Sequence, residues 1–78
     1  MTLEIISPSE ILFKGEAISV TLPGEIGNFT VLKNHAALIS SLKNGEMKYI
    51  LPSGEENKIE VKGGIADVHD NVVSVCIY

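Results

Sequence analysis

Residues 17–31 read AISVTLPGEIGNFTV, and the fold class turns on this stretch. Ile18, Val20 and Leu22 alternate with Ala17, Ser19 and Thr21, and Pro23-Gly24 then stops the run. Phe29 and Val31 resume the same spacing after Gly27. A period of two places one apolar face inward and one mixed face outward, which is the pattern of a half-buried strand.

The same period extends in both directions. Leu3 and Ile5 carry it at the start, followed by Met47, Tyr49 and Leu51, then Ile59 and Val61, and finally Val73, Val75 and Ile77. Turn signals break the runs at Ser7-Pro8-Ser9, Lys14-Gly15, Lys33-Asn34, Asn44-Gly45, Pro52-Ser53-Gly54, Gly63-Gly64 and Asp70-Asn71. Both residues of Asp70-Asn71 tolerate positive φ, so that pair suits a tight hairpin. Gly63-Gly64 predicts a bulge or a close backbone crossing. Residues 35–42, HAALISSL, lack a helical stripe and read as mostly extended. The acidic run Glu55-Glu56-Asn57 reads as a solvated hairpin loop. Roughly seven or eight short strands with regular turns predict an all-β sandwich or small barrel, built as a single domain over residues 1–78.

Composition narrows the function. Apolar residues make up 45% of the chain, enough for a packed core and too many for a solvated linker. The net charge is −4 with six Lys and no Arg, so the positive footprint that nucleic-acid binding requires is missing. Cys76 has no partner for a disulfide and reads as a small apolar strand residue. No signal peptide is visible, and no apolar run reaches the ~20 residues that span a bilayer. Direct membrane insertion is therefore not expected.

The search for catalytic groups ends without a set. Gly24-Glu25-Ile26-Gly27 lacks the Lys of a phosphate-binding loop and lies between strands. Asp67 and His69 share a strand face, but structural zinc needs four N or S ligands, so a solvated strand end is the simpler reading. His35 has no marked nucleophile beside it and suits a loop-ordering or surface role. Catalytic, cofactor and metal residues are thus predicted to be none.

The ordered motifs do carry a resemblance. SVTLPGEIGNFTVLKNHAAL (residues 19–38) resembles the signature stretch of ATP synthase epsilon subunits: a Pro-Gly turn, Gly-x-Phe-Gly-Val-Leu, then Pro-Gly-His-Ala-Pro-Leu. KGGIADVHDNVVSV (residues 62–75) is similar to that family's Gly-Gly strand and Asn-Val hairpin. Ile5-Ile6-Ser7-Pro8 and Phe13-Lys14-Gly15-Glu16 are similar to its opening. This chain departs from the pattern with Thr30 for Gly, Lys33-Asn34 for Pro-Gly and Ala37 for Pro.

The resemblance implies a sandwich of two antiparallel sheets with about ten short strands. It also implies a non-catalytic rotor part in the central stalk of an F-type ATP synthase, driven by protons or sodium and without a cofactor. Its partners would be the gamma subunit and the c-subunit ring, with the chain peripheral on the cytoplasmic face of a bacterial plasma membrane. Glu25, Asn28 and His35, expected exposed, would face the ring; Ser7, Ile39 and Ser40 would face gamma. An exposed apolar residue such as Ile39 favours a drier protein contact. Typical bacterial members continue into two C-terminal helices, whereas these residues end at Tyr78 and predict no helical hairpin. Met1 and the end on a strand point to a naturally short form, and a trimmed chain is the other reading. A free-standing ligand-binding sandwich is the rival function, disfavoured by the few aromatics.

Overall fold

In a computed structural model describing residues 1–78, the alternation becomes nine strands and no helix. They are β1 Thr2–Ile6, β2 Ile11–Glu16, β3 Ser19–Pro23, β4 Asn28–Leu32, β5 Leu38–Leu42, β6 Gly45–Ile50, β7 Glu56–Val61, β8 Gly64–His69 and β9 Val72–Ile77. One sheet has the order β2-β1-β9-β8-β5 and the other β4-β3-β6-β7. The sandwich class therefore stands, with nine strands in place of about ten.

Pairing is antiparallel except between β1 and β9, which run parallel with Leu3 opposite Val73 and Ile5 opposite Val75. The two apolar pairs point into the core, where Leu3, Ile5, Val73 and Val75 are all fully buried. Facing them from the second sheet are Val20, Leu22, Val31, Met47 and Val61. No polar side chain is buried, so the core gains stability from aliphatic contact at roughly 25 cal/mol per Å² and carries no desolvated charge. Phe13 and Tyr49 pack with ring centroids 4.8 Å apart at 44°. Burial pushes the Tyr49 phenol above its ordinary value, and the nearby Glu55 carboxylate adds to the effect.

Three local expectations are corrected. Ile18 is exposed, whereas Ala17 is buried. The chain crosses from β2 in one sheet to β3 in the other at this point, and the small Ala17 fits inside the crossing while Ile18 turns out. Lys14-Gly15 is not a turn, because both residues pair within β2 against Glu4 and Leu3. The missing Gly15 side chain lets the Phe13 ring lie over that position; an added Cβ would sit 3.2 Å from the ring. Glu56 and Asn57 belong to β7, so only Glu55 of the acidic run remains in the loop. Residues 35–42 contain no helix, and β5 occupies their second half.

The hairpin prediction at Asp70-Asn71 holds, with φ of 50° and 63°. These are the paired positive values of the two-residue turn that matches strand twist.

Unpaired edges need protection against association. On β7 the outward residues Glu56, Lys58 and Glu60 supply charge. The free side of β5 is partly closed by the segment after β3: Gly24 bridges Leu42, the Glu25 amide donates to the Ser41 carbonyl at 3.0 Å, and the Lys43 amide donates to the Pro23 carbonyl at 2.9 Å. This corner joins the two sheets and carries the candidate site.

Candidate functional site

The Gly24–Gly27 turn is tight because the Gly27 amide donates to the Gly24 carbonyl at 3.0 Å. It lies along β5, so the loop tip and the strand edge form one surface. Ile26 at the tip is fully exposed and Ile39 on β5 is 75% exposed. Around them, Phe29, Leu38, Asn28 and Ser40 line an open concavity of about 450 Å³. Glu25 sits beside it with Ile39 and Ser40. Two large aliphatic side chains thus stand in water here, rimmed by polar groups.

Four of the six sequence-identified residues, Glu25, Asn28, Ile39 and Ser40, thus come together on this corner. The other two are at opposite ends of the sandwich. Ser7 follows β1 and closes a short turn, its amide donating to the Glu10 carbonyl at 2.9 Å. Beside it Ile6, Pro8, Ile65, Cys76 and Tyr78 line an apolar groove of about 440 Å³. Cys76 is exposed there on the outer face of β9.

His35 lies at the far end, where β1 and β9 begin. It is half-buried rather than exposed, and its Nδ1 is 2.7 Å from the Ala36 carbonyl. The preceding Asn34 has φ of 64° and bonds to Asn71 of the β8–β9 hairpin. Asp67 and His69 do share a face, with Oδ1 and Nδ1 3.6 Å apart, and both are about half-exposed. No three His, Cys, Asp or Glu side chains are grouped so as to hold a metal ion.

A family model described as ATP synthase, Delta/Epsilon chain, beta-sandwich domain matches residues 1–77. The chain belongs to that family. It is 39% identical over 77 residues to the ATP synthase epsilon chain of Nitratiruptor sp., covering 99% of this chain and 60% of that one. With the ATP synthase epsilon chain of Chlorobaculum tepidum it shares 40% identity over 70 residues, covering 90% and 80%. The chain spans about 60% or less of the length of several such curated relatives. A solved chain of the Euglena gracilis mitochondrial ATP synthase, from an OSCP/F1/c-ring structure, superposes with a TM-score of 0.91 at 25% identity. That match covers 96% of this chain and 48% of the other. A chain from the Tetrahymena thermophila central stalk and c-ring superposes at 0.84 with 17% identity, over 97% and 61% of the two chains.

Asn34 makes the turn after β4 because Asn reaches the left-handed region that Gly occupies freely. Two site features escaped sequence reasoning. In the sequence Ile26 reads only as part of a turn, although an Ile between Glu25 and Gly27 in a loop has no core to enter. The Asn34–Asn71 contact joins residues 37 apart and leaves no periodic trace.

Proposed function

We propose that this chain is a non-catalytic epsilon subunit of an F-type ATP synthase rotor. In this reading it couples ion-driven rotation of the c-ring to the catalytic sector through gamma. The observation that carries the reading is the corner where Ile26 and Ile39 stand exposed among Glu25, Asn28 and Ser40. It is supported by family membership and by the likeness to a chain from an F1/c-ring assembly.

Transmitting torque needs a stiff body and firm contacts, not reactive groups. Two sheets packed through an all-aliphatic and aromatic core, and tied at the Gly24–Leu42 corner, supply the stiffness. Asn28 and Glu25 then approach the polar loops of the ring, and Ile39 and Ser40 approach gamma, so the boundary between the partners runs across this corner. His35 reaches the ring from its own end, and Ser7 reaches gamma from the other. The chain is held at the cytoplasmic face of a bacterial membrane by these partners.

Cysteine cross-linking tests the arrangement in a Cys76→Ser background, since Cys76 is itself exposed. Asn28→Cys is expected to link to a cysteine in a c-subunit loop, and Ser40→Cys to gamma. Swapped partners would reverse the docking, and no link at either position would overturn the rotor role.

A further inference from the structure

Asn34 and Asn71 make a reciprocal pair across the two sheets. The Asn34 backbone amide donates to Asn71 Oδ1 at 2.7 Å, and Asn71 Nδ2 donates to Asn34 Oδ1 at 3.1 Å. Both residues hold positive φ, so each backbone aims its side chain at the other from a tight turn. Asn71 is also fixed through its main chain, where its carbonyl accepts from the Thr2 amide at 2.9 Å. The β8–β9 hairpin is therefore an anchored post, and the loop between β4 and β5 is tied to it. Within that loop only the His35 amide, donating to the Leu32 carbonyl at 3.1 Å, gives further main-chain restraint.

The loop carries His35, and together with the hairpin it lines an open concavity of about 660 Å³ that includes His69 and Asp70. We propose that Asn34 and Asn71 are positioning residues, whose clasp sets the pose of the His35 loop for its partner contact. This rests on the rotor reading above. Lys33-Asn34 has no proline ring to restrict the loop, so the clasp supplies the restraint through two hydrogen bonds to the neighbouring hairpin. Ordering the loop before binding removes part of the entropy that association would otherwise lose.

The chemistry allows a clean test. Asn71→Gly keeps the turn, because Asp-Gly is a favoured pair for it, while deleting the clasp. Asn34→Asp retains an acceptor for Asn71 Nδ2, and Asn71→Asp lets the Asn34 amide flip and donate to the new carboxylate. The double variant Asn34→Asp/Asn71→Asp sets two carboxylates face to face and breaks the pair. The readouts are hydrogen exchange at the Asn34 amide, the melting temperature, and affinity for a purified gamma–c-ring subcomplex.

Asn71→Gly and the double variant are expected to exchange about 10-fold faster at Asn34 and to bind about 10-fold more weakly, with melting nearly unchanged. Each single Asp variant should behave like the parent. Parent-level binding by Asn71→Gly despite faster exchange would overturn the positioning role alone. Unchanged exchange would overturn the clasp itself. A parent chain that does not bind the subcomplex would overturn the rotor reading, and the positioning role with it.

Discussion

The Cα of Gly64 faces the carbonyl of Cys76 so closely that any Cβ at position 64 would run into that oxygen. Gly64 pairs with Ile77 where β8 enters the sheet, and its φ is 151°. Gly27 has nearly the same φ, 154°, but an added Cβ there meets nothing within 4 Å. The two glycines separate backbone strain from collision. Gly27→Ala is expected to cost about 1–2 kcal/mol, and Gly64→Ala about 3 kcal/mol or more, measured as urea midpoints. Equal losses would mean that β8 and β9 can move apart without penalty.

Val20 lies at 0% exposure in β3, opposite Val31 on one side and Tyr49 on the other. A carboxylate there has no partner, and its burial costs several kcal/mol, against a total stability of order 5 kcal/mol. Val20→Asp is expected to abolish the cooperative melt. Ile18→Asp, two residues earlier and 52% exposed, should shift stability by about 0.5 kcal/mol or less. Both are read by circular dichroism on heating, and a folded Val20→Asp would contradict the assigned facing.

The contrast between Val20 and Ile18 shows how much of the fold was legible. Period-two spacing reports which side of a strand faces inward, so β3, β6 and β9 could be placed from sequence alone. It does not report where the chain changes sheets, and Ile18 broke the pattern there. Nor does it report partners, so the parallel pairing of β1 with β9 was invisible: any apolar strand satisfies Leu3 and Ile5 equally well. The site was legible only in part. Ile39 comes from the family resemblance and not from spacing, and the meeting of Ile26 with Ile39 depends on a corner that only the folded chain forms.

Acid should weaken the chain's first hairpin. The Thr2 hydroxyl donates to Glu16 Oε2 at 2.9 Å, and this bond holds the Glu16 carboxyl below its ordinary 4.5. Desolvation opposes the shift, and the charged N-terminus, 3.5 Å away, adds a smaller lowering effect. A folded-state value below the unfolded one means the stabilisation is complete above about pH 4.5 and is lost as pH falls through the lower folded value. Glu16→Gln is therefore expected to lower the urea midpoint at pH 7 and to approach the parent progressively as pH falls below about 4.5. A difference that stayed constant with pH would assign the effect to packing instead of charge.

The exposed corner gives the sharpest separation of folding from assembly. Neither Ile26 nor Ile39 contributes to the core, so Ile26→Ser with Ile39→Thr should leave the melt nearly unchanged; Thr keeps the β-branch that suits β5. If both side chains become buried against the rotor, each loses about 1.5 kcal/mol or more of contact on substitution. Together that is about 3 kcal/mol, or roughly 100-fold in Kd for the gamma–c-ring subcomplex. Ile65 is the comparison: it is 51% exposed, on the outer face of β8, and lines the Ser7 groove that the rotor reading turns toward gamma. Ile65→Thr removes a smaller apolar surface than the double variant, from a different side, so a smaller loss of binding is expected there. Largely retained binding by Ile65→Thr and lost binding by the double variant would place the contact on the Ile26–Ile39 corner. The reverse result would dock the chain through the β8–β9 face and remove the observation on which the rotor assignment of this corner rests.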